Sequence, residues 1–532
     1  MSGDQIVMQS AGRKRIARIA LGDLIHRAAR RFGRKTAIID RERLVSFVEL
    51  NADSNRFAHY LLSTPAAPGD RIGMLCNNSV EMVVAFTAIQ KAGLVWVPIN
   101  TGLAASAIDN IVEHAEIQYL VVDGDLYALP SIMEIVSKRK LRCIVLNPVA
   151  DQTVSAPAVL YTDATRTMPD TLPDVDIGSD DLAQIMYTSG TTGRQKGVMH
   201  SHASVYAALM SNIAEFGAGS NDVASCVFPM FHVSQHVVSM TFWTVGGAVH
   251  LDRSFDVGNF LGAVQSSRIT FMVALPMMYG AILNHPRRSA HDLSSLRLCI
   301  YAMAPMSQPM LMRLIDEVCP NFALCSGQTE MYSITTMFKP EEQLRRFGPY
   351  WGVSAYVNEA AIMDDEGNLL GNERIGEIVH RGPNVMLGYY KDEDATRRSQ
   401  AFGWHHTGDL GMFDSDGQLL FVDRKKDMIK SGGENVPSLK VEEVLLRHAS
   451  VANAAVVGLP HSRWSEAVTA FVLLKPGADV SADDLNRHCR GHLGGFEVPK
   501  KIVVLETFPM TSTGKIQKAL LRDAYQDAYA DQ

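Results

Sequence analysis

The sequence has few cysteines and no large excess of charge of either sign. Its 532 residues include seven cysteines, an odd number with no C-x-x-C pair, which excludes a disulfide scaffold and the common cysteine metal sites. The 50 Lys and Arg residues against 57 Asp and Glu residues give a net charge of −7. That balance argues against nucleic acid as a partner. We interpret the cysteines as reduced thiols of a cytoplasmic protein.

Long apolar runs are also lacking. The stretch 271–283 is shorter than the roughly 20 residues that a membrane-spanning helix needs, and it contains Pro276. We therefore expect no stable membrane insertion. An arginine-rich N-terminus would fit a transit peptide, but Leu21, Leu24 and Ile25 fall at helical spacing. This spacing favours a surface helix with the arginines on its solvated face.

The order of apolar runs predicts alternating strands and helices. Ser79 can cap a helix between the strand-like runs 71–76 and 94–98. Repeats of this kind indicate a mainly parallel sheet covered by helices. Short strands with Gly, Asp and Asn turns across 352–422 predict a small β-rich subdomain. After the charged run 423–427 the pattern predicts a separate α+β domain of about one hundred residues.

The most informative segment is 187–197, which combines four Ser and Thr hydroxyls, three glycines and one lysine. Glycines let backbone N–H groups converge on an anion, hydroxyls add donors, and Lys196 supplies positive charge. This chemistry suits a polyphosphate, whereas the plainer alternative is a solvated turn. The segment is not a P-loop of the G-x-x-x-x-G-K-[ST] type, because Lys196 stands three residues past Gly193 and Gly197 follows it.

Further motifs follow this segment along the chain. They are Pro229-Met230-Phe231-His232, Gly327-Gln328-Thr329-Glu330, Gly376-Glu377-Ile378, Gly388-Tyr389-Tyr390, Trp404-His405-His406-Thr407-Gly408-Asp409, Asp423-Arg424-Lys425-Lys426-Asp427, Ser431-Gly432-Gly433-Glu434-Asn435 and Pro509-Met510-Thr511-Ser512-Thr513-Gly514-Lys515-Ile516. In this order they resemble the AMP-forming adenylating superfamily, which includes acyl-CoA synthetases, luciferase and peptide-synthetase adenylation domains. The resemblance covers about residues 20–525.

The resemblance implies an α/β fold with two domains. A large N-terminal domain, 1–423, would hold two doubly wound α/β subdomains and a small β-barrel-like subdomain. A small mobile α+β domain, 424–532, would carry the catalytic lysine. The implied reaction is acid–thiol ligation that uses ATP, Mg²⁺ and coenzyme A. A carboxylate attacks the α-phosphorus of ATP to give an acyl-adenylate and pyrophosphate, and the thiol of coenzyme A then expels AMP.

The resemblance also implies roles for single residues. Lys515 would bridge the substrate carboxylate and the α-phosphate, and Glu330 with Thr188 would bind Mg²⁺. His232 would orient the carboxylate, and Asp409 would accept hydrogen bonds from the ribose hydroxyls. The implied nucleotide-binding set is Thr188, Ser189, Gly190, Thr191, Thr192, Gly193, Lys196, Ala304, Ser326, Gly327, Gln328, Thr329, Asp409, Arg424 and Lys515.

A hinge and a coenzyme A tunnel are further implications of the resemblance. Lys426 falls at the hinge of the family, where the C-terminal domain would turn between the two half-reactions. The residues implied to line the tunnel are Lys430, Ser431, Gly432 and Gly433.

The sequence departs from the family pattern in three places. Ser326 stands where relatives usually carry an aromatic ring that stacks on adenine, so Tyr301 or Tyr332 could take that role. The run 302–305, Ala-Met-Ala-Pro, replaces Gly-Gly-Ala-Pro, and Pro-Ser at 437–438 replaces Tyr-Pro.

The acyl-pocket candidates contain no Lys, Arg, Asp or Glu. They are Met210, Met230, His232, Val233, Gln235, His236, Met303, Gly327, Met331 and Tyr332. An α-amino acid would need an acidic partner and a dicarboxylate a basic one, so we predict an apolar monocarboxylic acid, fatty or aryl. Three alternatives stay open: loading of an acyl carrier protein, a luciferase-like oxygenase, and a nucleotide-binding regulator without turnover. Small molecules are the expected partners, with self-association into a homodimer as a further expectation.

Overall fold

The computed structural model describes residues 16–188, 195–302, 306–510 and 516–530. The chain forms two compact units, the first made of Met1–Ala360 with His380–His405 and the second of Ala361–Val379 with His406–Gln532. Among the described residues, no helix combines the length and the apolar character that a membrane crossing requires.

Strands and helices alternate through most of the chain. The strands are β1 Thr36–Asp40, β2 Arg43–Ser46, β3 Arg71–Leu75, β4 Val95–Pro98, β5 Tyr119–Asp123, β6 Arg142–Leu146, β7 Val159–Leu160, β8 Leu182–Thr188, β9 Lys196–Ser201, β10 Val223–Cys226, β11 Ala248–Leu251, β12 Phe271–Ala274, β13 Leu298–Tyr301, β14 Phe322–Gln328, β15 Ser333–Phe338, β16 Tyr350–Ser354, β17 Glu359–Met363, β18 Leu369–Leu370, β19 Gly376–Arg381, β20 Gly388–Tyr389, β21 His405–Phe413, β22 Leu419–Arg424, β23 Ile429–Ser431, β24 Glu434–Val436, β25 Val451–His461, β26 Ser465–Leu474 and β27 Lys501–Val504.

The helices cover these strands. They are α1 Gly22–Phe32, α2 Phe47–Ser63, α3 Val80–Lys91, α4 Ala105–His114, α5 Gly124–Tyr127, α6 Pro130–Arg139, α7 Tyr161–Thr165, α8 His202–Phe216, α9 Val233–Thr244, α10 Val257–Ser267, α11 Pro276–Asn284, α12 Gln308–Glu317, α13 Pro340–Gln343, α14 Glu393–Ser399, α15 Ser438–Leu446, α16 Ala482–Arg490 and α17 Lys518–Ala524, with short 3₁₀ turns at Arg288–Ala290, Thr329–Met331 and Ala401–Gly403.

The first unit contains two largely parallel sheets. One runs in the order β20-β9-β8-β4-β3-β5-β6-β7, and it is parallel from β8 to β7. The other runs β16-β15-β14-β13-β12-β10-β11-β1-β2, with its parallel part from β14 to β1. Parallel strands need crossover connections, which the helices provide. The α/β prediction is therefore confirmed.

Helices α1, α2, α3, α8 and α9 share one hydrophobic core with residues of both sheets. A second hydrophobic core forms where α10, α11 and α12 pack on the sheet that contains β12 and β13. A third forms where α4 and α6 pack on the sheet that contains β5 and β6. The predicted helix after Ser79 forms as α3, because the Ser79 hydroxyl accepts the Met82 N–H at 3.0 Å. In α1, Leu24 and Ile25 are buried while Arg27, Arg30 and Arg31 are exposed, so the predicted surface helix is present over these residues. Residues 13–15 of the basic cluster lie outside the described residues.

The second unit ends in an antiparallel sheet, β24-β23-β26-β25, which β27 extends in parallel beside β26. Helices α15 and α16 contribute to the hydrophobic core of this sheet. The sequence pattern predicts a helix from residue 441, but α15 begins at Ser438. The Asp423 carboxylate accepts the Ser438 N–H and so satisfies a free donor at the start of the helix.

Candidate active site

Thr188 and Lys196 face each other across the strand pair β8 and β9. They are the last residue of one strand and the first of the next, and they are directly paired in the antiparallel register. Both side chains are half-buried. The predicted phosphate-binding residues Ser189, Gly190, Thr191, Thr192 and Gly193 lie outside the described residues.

A short turn carries the predicted magnesium ligand. Strand β14 ends at Gln328, and the 3₁₀ turn Thr329–Met331 follows directly. Three donors from other parts of the first unit hold the carbonyls of this turn. His200 Nε2 lies 2.7 Å from the Thr329 oxygen, the Met386 N–H donates to the Glu330 oxygen at 2.7 Å, and the Asn384 side chain donates to the Met331 oxygen at 2.9 Å. The turn is therefore fixed before any ligand arrives.

His200 acts here as a neutral hydrogen-bond donor. Burial lowers the pKa of His200 to about 4, so the ring is uncharged at neutral pH. A carbonyl oxygen can only accept, and the proton must therefore be on Nε2. Sequence reasoning missed this residue, although it lies on β9 only four residues after Lys196.

The Glu330 carboxylate is oriented by Tyr389. The Tyr389 hydroxyl donates to Glu330 Oε1 at 2.9 Å, and Lys196 Nζ lies 4.6 Å from the centroid of the same ring. A neutral donor orients the carboxylate without cancelling its negative charge. Mg²⁺ commonly takes one or two carboxylates together with substrate phosphates, so Glu330 fits the predicted ligand. The structure thus links Thr188, Lys196 and Glu330 within one unit.

His232 caps helix α9 at its N-terminus. Its Nδ1 accepts the Ser234 N–H at 3.3 Å and lies 2.7 Å from the Ser234 hydroxyl. In the neutral ring this leaves the proton on Nε2, which makes that edge of the ring a donor suited to a carboxylate oxygen. The helix cap is a structural role for His232, and its role in orienting the carboxylate stays a prediction.

Two other pocket candidates on α9 are deeply buried. The Gln235 side chain accepts the Phe228 N–H at 3.2 Å and donates to the Ser225 carbonyl at 3.3 Å. Its polar atoms are thus already engaged within the core. His236 Nδ1 is hydrogen-bonded to the Tyr332 hydroxyl, which joins α9 to the residue that follows the Thr329–Met331 turn.

The two tyrosines considered as substitutes for the adenine-stacking ring are both in the core. Tyr332 is 0% exposed and Tyr301 is 5% exposed, and the Tyr301 hydroxyl donates to Gln343 at 2.9 Å. Neither ring has a free face for stacking, so that prediction is wrong. Ser326 itself is half-buried on β14.

The remaining members of the Gly327–Glu330 motif lie at the end of β14. Gly327 is exposed, and Gln328 and Thr329 are half-buried. Gln328 Oε1 lies 3.0 Å from His405 Nε2. The predicted site residues Met303, Ala304 and Lys515 lie outside the described residues, while the neighbours Met510 and Ile516 form a β-bridge on either side of 511–515.

In the second unit, Asp409 and Arg424 form an ion pair. Arg424 Nε lies 2.8 Å from Asp409 Oδ1, and the side chain of Asp409 is only 3% exposed. The two residues are register partners on β21 and β22. The Thr407 hydroxyl accepts the Asp409 N–H at 3.0 Å. The ion pair with Arg424 fixes the orientation of this buried carboxylate.

The predicted hinge and coenzyme A segment also lie in this unit. Lys426 is exposed in the turn between β22 and β23. Strands β23 and β24 form a hairpin whose two central residues, Gly432 and Gly433, have φ values of +64° and +90°. Glycine adopts such positive φ values at little energetic cost, whereas other residues are strained there. The Gly432 N–H donates to the Trp464 carbonyl at 2.8 Å, so the turn is anchored, and Lys430 and Ser431 lie on its first strand.

Comparison with known families decides the identity of this arrangement. The model of the AMP-binding enzyme family matches residues 25–390, and that of the AMP-binding enzyme C-terminal domain matches residues 440–515. The chain belongs to the AMP-binding enzyme family. The resemblance read from the motif order is confirmed.

Relatives match the chain over nearly its whole length. A 3-[(3aS,4S,7aS)-7a-methyl-1,5-dioxo-octahydro-1H-inden-4-yl]propanoyl:CoA ligase from Rhodococcus jostii is 34% identical and covers 94% of this chain and 97% of its own. A feruloyl-CoA synthase from an Amycolatopsis species is 32% identical, covering 94% and 98%. The crystal structure of ATP-bound MatB from Rhodopseudomonas palustris has a TM-score of 0.86 at 28% identity, covering 96% and 99%.

Family membership and these relatives establish the class of reaction. The chain is an AMP-forming carboxylate–CoA ligase, with ATP and coenzyme A as its co-substrates. Mg²⁺ is the metal typical of this AMP-binding enzyme family. Its large first unit and smaller second unit agree with the mixed α/β fold of the MatB structure.

Proposed function

We propose that this ligase activates an apolar monocarboxylic acid, fatty or aryl, to an acyl-adenylate and transfers the acyl group to coenzyme A. The observation that carries the substrate class is the uncharged character of the described pocket candidates. Burial lowers the pKa of His236 to about 3, so it is neutral at pH 7 beside Tyr332. An ammonium or second carboxylate on the substrate would be buried there without an opposite charge, which is unfavourable.

The relatives support an acid with an apolar body. The Rhodococcus enzyme is named for a bicyclic propanoyl group and the Amycolatopsis enzyme for a feruloyl group. The pocket candidates Met210, Met230 and Met331 are flexible and polarisable, which suits irregular apolar substrates. Met230 and Met331 are 0% exposed. We therefore keep both fatty and aryl acids in the proposed class.

In the first half-reaction a carboxylate oxygen attacks the α-phosphorus while pyrophosphate leaves. Two anions must approach each other, so the site must supply positive charge and donors. We assign the phosphates to Thr188, Lys196 and Thr329, and the acid carboxylate to Lys515 and to the Nε2–H of His232. Mg²⁺, held by Glu330 with Thr188, would supply charge neutralisation at the phosphates when bound.

The proposal assigns the ribose of the nucleotide to the Asp409–Arg424 pair. The Asp409 carboxylate accepts hydrogen bonds from the ribose hydroxyls, with Arg424 fixing its orientation through the 2.8 Å contact. The base and phosphates are assigned to the remaining nucleotide-binding residues, among them Ser326, Gly327 and Gln328.

In the second half-reaction the coenzyme A thiol attacks the acyl carbon and AMP leaves. We propose that residues 1–423 and 424–532 act as two domains and that Lys426 is the hinge. The segment Lys430–Gly433 lets pantetheine approach the backbone closely, since glycines at 432 and 433 present no side chain. Different side chains can then serve each half-reaction.

The substrate class is tested with acids matched in size and differing only in charge. Octanoate is compared with octanedioate, and 3-phenylpropanoate with phenylalanine, by acid-dependent pyrophosphate release. We expect kcat/KM for octanoate and for 3-phenylpropanoate to exceed that of the partner acid by about 100-fold or more. The reason is that the second carboxylate of octanedioate, or the ammonium of phenylalanine, would be buried without an opposite charge. Equal or better turnover of octanedioate or phenylalanine contradicts the proposal. Omission of coenzyme A, or its replacement by an acyl carrier protein, identifies the acceptor.

We propose that the protein is located in the cytoplasm. All seven cysteines lie within the described residues as buried free thiols, which supports a cytoplasmic, reducing environment.

We also propose that the protein can form a homodimer, and light scattering of the purified chain measures its mass in solution directly. A monomer mass at all concentrations contradicts this part.

A further inference from the structure

Tyr389 contacts two opposite charges with different parts of one side chain. Its hydroxyl donates to Glu330 Oε1 at 2.9 Å. The Lys196 ammonium lies over the ring face, 4.6 Å from the centroid. The two charged groups come from the Thr329–Met331 turn and from the start of β9, so the tyrosine links the two segments that the site depends on.

The backbone around Tyr389 is fixed tightly. Strand β20 pairs with β9 through Tyr389 and Val198, and the Tyr389 N–H donates to the Thr396 hydroxyl at 2.8 Å. At Gly388, φ is +146°, and a Cβ there would lie 2.7 Å from Thr396 Cγ2. Only glycine fits this close approach. The position of the ring is thus set by the strand and by α14.

The direction of the hydrogen bond between Tyr389 and Glu330 follows from the two groups. A carboxylate oxygen can only accept, so the proton is on the Tyr389 hydroxyl. It therefore acts as a donor to a charged acceptor, which is a strong class of hydrogen bond. A lysine over an aromatic face is attracted by the ring quadrupole, and Lys196 Nζ lies over the ring of Tyr389.

We propose that Tyr389 is a positioning residue for Mg·ATP. Its hydroxyl holds the Glu330 carboxylate in the orientation that binds the metal, and its ring holds Lys196 so that the ammonium does not pair with Glu330. Both charges then remain available, the carboxylate for Mg²⁺ and the ammonium for phosphate. This inference rests on the proposed function, because it assigns the metal to Glu330 and the phosphates to Lys196.

The first test measures metal binding without turnover. Mn²⁺ serves as the probe in the presence of α,β-methylene-ATP, and free Mn²⁺ is followed by electron paramagnetic resonance. We expect Tyr389→Phe, which keeps the ring and loses the hydroxyl, to weaken Mn²⁺ binding by about tenfold, as for other groups that orient metal ligands. Tyr390→Phe is the matched control, since the Tyr390 hydroxyl contacts Glu116 at 3.1 Å instead. Wild-type affinity in Tyr389→Phe overturns the inference.

The second test separates a positioning role from a general structural one. Acid-dependent exchange of pyrophosphate into ATP is measured against Mg²⁺ concentration. We expect the Tyr389→Phe rate to approach that of wild type at high Mg²⁺, because the ligand is present but badly oriented. A uniform loss of rate at every Mg²⁺ concentration, with unchanged Mn²⁺ affinity, overturns the inference.

A third variant, Tyr389→Leu, removes the ring as well as the hydroxyl. Lys196 can then pair with Glu330, so we expect weaker ATP binding as well as weaker metal binding, and incomplete recovery at high Mg²⁺. Recovery equal to that of Tyr389→Phe, with an unchanged KM for ATP, contradicts the role given to the ring. If wild type shows no acid-dependent exchange, the proposed function fails, while the Mn²⁺ titration still decides the role of Tyr389.

Discussion

At the scale of single residues, the site depends on side chains that are neutral although they are titratable. His200 donates to the Thr329 carbonyl, His236 bonds with Tyr332, and Tyr389 donates to Glu330. Each orients a partner without adding charge. Lys196 and Glu330 are then the charged groups to which the proposal assigns the phosphates and Mg²⁺.

The buried neutral histidines make stability depend on pH. Burial lowers the pKa values of four of them, to about 4 for His200 and His202 and to about 3 for His236 and His380. Since the unfolded values are near 6.5, the unfolded chain binds more protons at any pH between the two values. The stabilisation is complete above pH 6.5 and is lost progressively as pH falls, towards 4 for His200 and His202 and towards 3 for His236 and His380.

We expect the free energy of unfolding, measured with urea, to decrease from pH 6.5 to pH 5. In His200→Gln, whose amide can still donate to the Thr329 carbonyl, the slope should be shallower by up to about 1.4 kcal/mol per pH unit. His492→Gln, at an exposed position, should keep the wild-type slope. An unchanged slope in His200→Gln would show that this histidine is not held neutral by the fold.

At the scale of elements, features set by neighbouring residues were predictable from the sequence. Features that depend on contacts between residues distant in the sequence were not. Helix α3 was predictable because Ser79 caps it from the adjacent residue. The start of α15 was not, because its donor is satisfied by Asp423, fifteen residues away. The roles of His200 and Tyr389 were not predicted for the same reason, because their hydrogen-bond partners are 129 and 59 residues away in the sequence. Tyr389 did stand in a recognised motif, which was the available signal.

The hairpin of β23 and β24 carries a prediction about coenzyme A. Gly433→Ala places a side chain at φ +90° with no atom within 4 Å, so strain and not collision is the cost. We expect a loss of stability of about 1–2 kcal/mol and slower thioester formation, with unchanged adenylate formation. Gly477→Ala, at φ +77° and equally open, should lose similar stability without affecting either half-reaction. Equal effects of both variants on thioester formation would contradict the tunnel assignment.

At the scale of the whole molecule, one chain catalyses two half-reactions, the adenylation of the acid and the transfer of the acyl group to coenzyme A. The first unit holds Thr188, Lys196 and Glu330 in linked positions, and the second holds the Asp409–Arg424 pair and the Lys430–Gly433 segment. The order of motifs predicted two domains, but it placed Asp409 in the first, 1–423, whereas the second compact unit includes His406–Gln532 and therefore Asp409. The acyl specificity was predictable only as a charge class, because pocket shape depends on packing between distant elements.

Lys515 is the residue whose removal should separate the half-reactions. We expect Lys515→Ala to lose acid-dependent pyrophosphate release by about 100-fold or more, as when one preorganised group at a developing charge is removed. Supplied with a synthetic acyl-adenylate and coenzyme A, the same variant should still form the thioester at close to the wild-type rate. Pyrophosphate release that survives Lys515→Ala unchanged, or a thioester step lost in equal measure, would contradict the account.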